Sequence, residues 1–181
     1  FKPESLEQLS QFLKEFGNKL NIFVLGAGSN ILLTDNVFDG VVIKLGKNFS
    51  NITLMPNNII VAGAAASDKK LSEFACENSI GGFEFLSCIP GTIGGGLKIN
   101  SGCYGKEFKD ILLSIQVIDK RNGIIKTIPS SNIKFSYRKS DINNNYIYLS
   151  ASFKGIKKEK AVIEKEISFL KKKKKCRNPQ K

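Results

Sequence analysis

The sequence predicts an α+β fold made of two small units, which are followed by the beginning of a further segment. An amphipathic helix and short apolar strands open the chain, a strand and a capped helix open the second unit, and β-rich segments fill its remainder. The 181 residues are 41% apolar, which is enough to build a buried core. We expect units at residues 1–50 and 51–155 and a final segment at residues 156–181.

The first unit begins with a clear helix signal. Ser5 is placed to cap the helix, with Gln8 three residues later as its capping-box partner, and Gly17 suits the end. The strands of this unit are expected at residues 22–25, 31–33 and 41–43, separated by turn residues. The apolar stripe of the helix consists of Leu6, Leu9, Phe12, Leu13 and Phe16.

The second unit starts near Ile52 and is expected to contain a strand at residues 59–63, followed by a helix opened by Ser67. Gly81 and Gly82 are predicted to end that helix. The turn at Asn122-Gly123 predicts a hairpin between strands at residues 115–117 and 124–127. A further strand at residues 146–153 and a helix at residues 159–170, with Ile163, Ile167 and Leu170 on one face, complete the pattern.

The composition excludes several classes of site. The chain has no histidine, which removes Ser-His triads, histidine bases and histidine metal sites. Its four cysteines form no C-x-x-C pair, so we expect them to be reduced thiols that do not bind a metal. No apolar stretch reaches the roughly 18 residues that span a membrane, and the first residues do not resemble a signal peptide. We therefore expect a cytoplasmic protein with no membrane contact, and we interpret the chain as the middle of a longer one.

The positive charge is concentrated near the end of the chain. The net charge is +12, and residues 151–181 account for +9 of it with twelve Lys/Arg and three Glu. This segment lacks the arginine-rich or aromatic-interleaved pattern of a nucleic-acid site, so no nucleic acid is expected. A solvated helix face and a phosphate-bearing substrate are the remaining interpretations.

Two glycine-rich loops are the candidate ligand-binding features. The first comprises Gly26, Ala27, Gly28, Ser29 and Asn30 after a strand, but it lacks the third glycine and the following helix of a dinucleotide-binding fingerprint. It is either a structural turn or a nest of backbone N–H groups that binds phosphate with the Ser29 hydroxyl.

The second loop is denser in glycine. Thr92 is placed to cap a short helix whose free N–H groups would attract an anion. A tight turn explains one or two of its glycines more easily than four, so two phosphate-compatible loops favour a dinucleotide ligand. The loop comprises Cys88, Ile89, Pro90, Gly91, Thr92, Ile93, Gly94, Gly95 and Gly96.

Five motifs in this order resemble the UDP-N-acetylenolpyruvoylglucosamine reductase family, also called UDP-N-acetylmuramate dehydrogenases. They are the first loop, Gly-Phe-Glu-Phe at 82–85, the second loop, Asn-Ser-Gly-Cys-Tyr-Gly at 100–105 and Phe-Ser-Tyr-Arg-Lys-Ser at 135–140. The resemblance implies the two-subdomain FAD-binding fold of the p-cresol methylhydroxylase/vanillyl-alcohol oxidase type, with the C-terminal substrate domain mostly absent. Residues 1–50 and 51–155 would be the FAD-binding subdomains, and 156–181 would lead into the substrate domain.

The resemblance also implies the residues that contact FAD. Gly26–Asn30 and the loop at 89–95, through Ile89, Pro90, Gly91, Thr92, Gly94 and Gly95, would hold the diphosphate and its neighbours. Further FAD contacts are expected from Gly63, Asn100, Gly102, Tyr104, Gly105 and Ile147. For Ile147, a plain core role is the alternative.

In the family, NADPH reduces FAD and the flavin reduces an enolpyruvyl UDP-sugar. Arg138 would be the catalytic residue that stabilises charge on the substrate carboxylate, because its planar cation binds a carboxylate through two hydrogen bonds. Tyr137 and Arg177 would contact the substrate. The family's proton-donating serine and assisting glutamate would lie beyond residue 181. We therefore expect residues 1–181 to be a monomer that binds FAD but does not turn over substrate.

Three alternatives stay open at this stage. The chain is a non-catalytic FAD-binding fragment, another flavin oxidoreductase of the same fold, or a basic module that binds nucleic acid. Covalent FAD attachment through histidine is excluded in the second case, because the chain has no histidine.

Overall fold

The computed structural model describes residues 1–32 and 35–177, except for the side chains of residues 175–177. The helices are α1 (Leu6–Phe16), α2 (Asp68–Glu77), α3 (Ile93–Lys98) and α4 (Lys160–Arg177). The strands are β1 (Ile22–Val24), β2 (Val41–Ile43), β3 (Ile52–Met55), β4 (Ile59–Gly63), β5 (Ile80–Gly81), β6 (Gly102–Cys103), β7 (Lys106–Glu107), β8 (Leu112–Asp119), β9 (Ile125–Pro129), β10 (Phe135–Ser136), β11 (Lys139–Ser140), β12 (Tyr146–Lys154) and β13 (Ile156–Lys157).

Helix α1 forms where its apolar stripe and cap predict it. The Ser5 hydroxyl accepts a hydrogen bond from the Gln8 N–H at 3.2 Å, and Leu9 and Leu13 are fully buried. The Gln8 side chain accepts from the Glu4 N–H at 2.9 Å instead of from Ser5, so the predicted capping box closes one residue earlier. Gly17 ends the helix as predicted.

Strands β1 and β2 pair in parallel, with Phe23 opposite Val42. The strand predicted at residues 31–33 is wrong for Ile31 and Leu32, which are irregular, and Leu33 lies outside the described residues. The Leu32 side chain is 95% exposed. An apolar run does not become a strand without a neighbouring strand to pair with.

The main sheet is antiparallel and has the strand order β3-β4-β12-β8-β9. The predicted hairpin between β8 and β9 is confirmed, with the Gly123 N–H donating to the Asp119 carbonyl at 2.8 Å. One core covers this sheet and includes the buried rings of Phe83, Phe108 and Phe153. The edge-to-face contact of Phe83 with Phe153, at 6.3 Å between ring centres, is typical of aromatic packing.

Helix α2 starts at its predicted cap but ends earlier than predicted. The Ser67 hydroxyl accepts from the Lys70 N–H. The Asn78 N–H and side-chain amide both donate to the Phe74 carbonyl, and Ser79 then takes a left-handed φ of 59°. Gly81 pairs with Ile156 in a short ladder, so Gly81 and Gly82 follow the helix and do not end it.

A second core joins the N-terminal unit to the main sheet. It packs Leu9 and Leu13 of α1 and Ile43 of β2 against Ile118 of β8 and Ile147 of β12. The two units therefore share buried surface, and the boundary between residues 50 and 51 stays a prediction.

Helix α4 is longer than predicted. It has Ile163 buried and Ile167 and Leu170 partly buried on the expected face. Within the part of the chain that the structure describes, no helix has the length and apolar character needed to cross a membrane.

Candidate functional site

A cleft of about 760 Å³ lies between the β1–β2 unit and the main sheet. Its volume falls within the range of roughly 300–1,000 Å³ that is typical of small-molecule sites. Both glycine-rich loops line it, together with the segment after β4 and the start of β12. The fold therefore brings together two loops that lie about sixty residues apart in the sequence.

All five residues of the first loop, Gly26–Asn30, line the cleft. The loop follows β1 directly, where the Leu25 N–H still donates to the Ile43 carbonyl at 2.9 Å. Gly28 has a φ of 77°, and a Cβ at this position would meet nothing within 4 Å. The absent side chain therefore leaves open space in front of the loop backbone.

The Ser29 hydroxyl connects the two loops. It donates to the Pro90 carbonyl at 2.8 Å. This bond fixes the separation of the loops at one end of the cleft. The hydroxyl oxygen keeps its lone pairs, so it can still accept a hydrogen bond but has no further proton to donate.

The second loop also lines the cleft, through Ile89, Pro90, Gly91, Thr92, Gly94 and Gly95. Thr92 caps α3 as predicted and accepts from the Gly95 N–H at 3.4 Å. The expectation that α3 offers free N–H groups is wrong for its first two residues. The Ile93 and Gly94 N–H groups donate to Ala66 and Ala64 at 2.9 Å, because α3 packs against the segment after β4.

Packing explains part of the glycine density in this loop. A Cβ on Gly96 would lie 2.3 Å from the Phe108 ring, and one on Gly94 would lie 3.1 Å from the Ala64 Cβ. A Cβ on Gly95 would meet its nearest atom only at 3.4 Å. Gly95 and Gly96 both line the cleft, but the Phe108 ring leaves no room for a side chain at Gly96, whereas Gly95 has room for a Cβ.

Three lysines that the sequence analysis missed line the same cleft: Lys44, Lys98 and Lys120. The Lys98 ammonium donates to the Ile142 carbonyl at 3.2 Å, and the Lys120 ammonium donates to the Ile22 carbonyl at 3.3 Å. Burial lowers the pKa of Lys120, and repulsion from Lys98 lowers this pKa further. An anionic ligand would relieve this repulsion, so the cleft is suited to phosphate groups.

Asp68 is the other missed residue of the cleft. It is the first residue of α2, is 0% exposed and lines the cleft. Its two carboxylate oxygens have no hydrogen-bond partner among the described residues. Burial raises the pKa of this carboxyl to about 7.

Several predicted cofactor residues lie outside the cleft lining. Gly63 packs against the backbone of Phe49, where a Cβ would lie 2.1 Å from the carbonyl oxygen, and Ala64 and Ala65 line the cleft in its place. The Asn100 side chain, which is 1% exposed, donates to Glu107 at 3.0 Å and accepts from the Lys109 N–H at 3.1 Å.

Residues 102–107 form a hairpin that is not part of the cleft lining. Gly102 belongs to β6, and Tyr104 and Gly105 form the turn to β7, with left-handed φ values of 54° and 79°. Ile99 and Ser101 line the cleft instead. The motif thus lies beside the cleft, and its last residues form a hairpin turn.

Ile147 is 1% exposed in the second core, as its alternative role predicts, and it also lines the cleft. Its contact with FAD stays a prediction. Tyr137 and Arg138 form the turn between β10 and β11. Arg138 lines the cleft with a left-handed φ of 56°, whereas Tyr137 is 85% exposed and does not line it. The Arg177 side chain lies outside the described part of the chain.

Comparison with known families gives a match to the FAD binding domain family over residues 1–128. Curated relatives are named UDP-N-acetylenolpyruvoylglucosamine reductase. The protein of this name from Pelagibacter ubique is 62% identical over all 181 residues, which cover 60% of its length. The one from Rickettsia massiliae is 47% identical over 154 residues, covering 85% of this chain and 52% of the relative. The chain therefore spans between half and two thirds of the length of these relatives.

Solved structures show the same fold. The crystal structure of UDP-N-acetylenolpyruvylglucosamine reductase from Thermus caldophilus aligns with a TM-score of 0.84 and 26% identity, over 96% of this chain and 61% of that one. A cholesterol oxidase from Brevibacterium sterolicum, at 13% identity over 85% of this chain and 33% of that one, aligns with a TM-score of 0.62 and shares the fold alone. These neighbours confirm the expected p-cresol methylhydroxylase/vanillyl-alcohol oxidase type of fold. The chain therefore belongs to the family of FAD-binding domains, and it is similar over its whole length to the Pelagibacter ubique protein named UDP-N-acetylenolpyruvoylglucosamine reductase.

Proposed function

We propose that the protein containing this chain is a reductase of peptidoglycan precursor synthesis that acts as a monomer in the cytoplasm. It would convert the enolpyruvyl ether of UDP-N-acetylglucosamine to UDP-N-acetylmuramate, with NADPH as electron donor and FAD as the bound carrier. The observation that supports this proposal most is the 62% identity to a reductase of that name over every residue of the chain. The cleft supports it independently, because its loops and lysines suit a dinucleotide.

The residues present fit FAD. The first loop, the backbone at Gly91 and Thr92 and the cleft lysines would hold the diphosphate. Ile147 and its neighbours on β12 would form an apolar wall for a ring system. When bound, FAD supplies the hydride chemistry, and the protein supplies position and electrostatic field.

Arg138, which lines the cleft, would bind the substrate carboxylate. A guanidinium carries its charge at every physiological pH and binds a carboxylate through two parallel hydrogen bonds. As negative charge grows on the substrate during reduction, this fixed cation would stabilise it. The left-handed backbone of Arg138 is uncommon for a residue with a side chain. Strain of this kind is tolerated where it holds a functional side chain in position.

The test is NADPH oxidation by the whole protein, dependent on the enolpyruvyl UDP-sugar, with the Arg138→Met variant beside wild type. We expect kcat/KM to fall by about 10²- to 10³-fold, the usual effect of removing one group that stabilises transition-state charge. The affinity for FAD is expected to stay within a few-fold of wild type. The Lys139→Met variant is the matched control, since it removes an exposed neighbouring cation.

Two results would contradict the proposal. One is a wild-type protein that binds FAD but oxidises NADPH no faster when the enolpyruvyl substrate is added. The other is flavin reduction by a sugar or alcohol substrate in place of NADPH, which would assign the protein to another class of oxidoreductase with this fold.

A further inference from the structure

Asp68 has no structural partner that accounts for its burial. Its carboxyl group is 0% exposed, and neither oxygen has a hydrogen-bond partner within the described ranges 1–32 and 35–177. Buried polar groups in proteins are almost always hydrogen-bonded, and an unpaired buried carboxylate is costly. A group of this kind facing a ligand cleft is expected to find its partner in the ligand.

The position of Asp68 is fixed from both sides. Its N–H donates to the Gly91 carbonyl at 3.3 Å, and Ser67 bridges to Thr92, so the start of α2 is joined to the second glycine loop. A Cβ on Gly91 would lie 2.9 Å from Asp68 Oδ2 and 3.7 Å from Ser29 Oγ. The carboxyl therefore lies next to both loops that suit a diphosphate.

Among the residues that the structure describes, none forms an ion pair with this carboxyl. The other ionisable groups of the cleft lining are Lys44, Lys98, Lys120, Arg138, Tyr146 and Tyr148. Burial alone accounts for the raised pKa of Asp68, and the neighbouring Lys69 and Lys70 of α2 are exposed. The free protein thus holds a carboxyl that is easily protonated in the place where an anion is expected.

The chemistry of the ligand decides which form of the carboxyl binds. Phosphate oxygens of a dinucleotide only accept hydrogen bonds, and an ionised carboxylate also only accepts. A pairing between the two requires a proton on Asp68. A ribose or ribityl hydroxyl could instead donate to the ionised carboxylate, and the pH dependence of binding would then have the opposite sign.

We propose that Asp68 binds FAD as a neutral carboxylic acid that donates a hydrogen bond to a diphosphate oxygen, so that FAD binding takes up a proton. This inference rests on the assignment of the cleft as the FAD site. It adds to that site a donor residue and a coupling between cofactor affinity and pH.

The direct test is the affinity of the 181-residue chain for FAD between about pH 6 and about pH 8.5, measured by flavin fluorescence. With a carboxyl pKa of about 7 in the free protein, we expect affinity to fall about 30-fold across this range. Calorimetry in two buffers with different heats of ionisation is expected to show about one proton taken up at the higher pH.

Variants at Asp68 distinguish binding by the neutral carboxylic acid from binding by the ionised carboxylate. The Asp68→Asn variant keeps an N–H donor that does not titrate, so its affinity is expected to be independent of pH and to match that of wild type at about pH 6. The Asp68→Ala variant is expected to bind more weakly than wild type at about pH 6, also without pH dependence. Asp39→Asn removes the same charge from an exposed position and is expected to behave as wild type.

An affinity that is flat or rises with pH in wild type would overturn the proposal, and so would an Asn variant that binds more weakly than wild type at about pH 8.5. The wild-type profile and the proton count do not depend on any variant folding. Absence of FAD binding at every pH would instead overturn the assignment of the cleft itself, and this proposal with it.

Discussion

Replacement of Asp68 by Asn is predicted to stabilise the cofactor-free protein at neutral and alkaline pH. The carboxyl is buried and has no described partner, and burial raises its pKa from the ordinary value of 3.8 to about 7. Below the unfolded pKa the carboxyl is protonated in both states, so it costs no stability. As the pH rises from there through the folded pKa, the unfolded state ionises first, and the free energy of unfolding falls.

The size of the effect follows from the pKa of Asp68. Each pKa unit corresponds to about 1.4 kcal/mol, so ionisation of Asp68 lowers the free energy of unfolding by about 1.5 kcal/mol at about pH 5 and by about 4 kcal/mol above about pH 7.5. Asparagine has a similar shape and does not ionise, so the advantage of the Asn variant is expected to grow over the same range. Since domains are stable by only about 5–15 kcal/mol, the difference is easily measured.

The assay is urea unfolding of FAD-free wild type and variant at several pH values, followed by far-UV circular dichroism because the chain has no tryptophan. Asp39→Asn, at an exposed position, is the control for the loss of a negative charge. A constant difference in the free energy of unfolding across the pH range, or an Asn variant that is less stable at about pH 8, would refute the reasoning.

Two further predictions concern the glycine loop and a buried ion pair. Gly96→Ala places a methyl group 2.3 Å from the Phe108 ring and is expected to lower the free energy of unfolding by about 1–3 kcal/mol. Gly95→Ala, which has room, is expected to keep stability but weaken FAD binding; equal effects of both changes on stability would contradict this. Lys158→Met leaves the nearly buried Glu84 without the ammonium 3.2 Å away and is expected to destabilise by about 1–3 kcal/mol in urea unfolding. The added change Glu84→Gln is expected to restore part of that loss, and no recovery would contradict the pairing.

Local signals in the sequence predicted the parts of the fold that depend on near neighbours. The Ser5, Ser67 and Thr92 caps lie at the helix starts where capping chemistry places them. Glycine commonly ends helices, so the sequence predicts the end of α2 at Gly81 and Gly82, but Asn78 and its hydrogen bonds to Phe74 end the helix earlier.

The sequence predicts only those residues of the candidate site that belong to a recognisable motif. The two glycine loops line one cleft, and their contact with FAD stays a prediction. Of the 100–105 motif only Ser101 lines the cleft, and the residues after it form a hairpin outside the lining. Asp68 follows a helix cap, where an acidic residue is ordinarily exposed and favourable. Its burial depends on the packing of α2 against the Gly91 loop, which no local pattern encodes. Lys98 and Lys120 are single residues that only the fold brings into the same cleft.

The most direct test of the FAD site is a titration of the chain with FAD in which two glycines are compared. Gly28 and Gly105 have similar φ values of 77° and 79°, and a Cβ on either would meet nothing within 4 Å, but only Gly28 lines the cleft. Replacing either with Leu imposes a comparable backbone strain of about 1–2 kcal/mol. The structure predicts one FAD bound per chain, with binding lost in Gly28→Leu and retained in Gly105→Leu. Wild type that binds no FAD, or variants that bind it equally well, would contradict the assignment of this cleft.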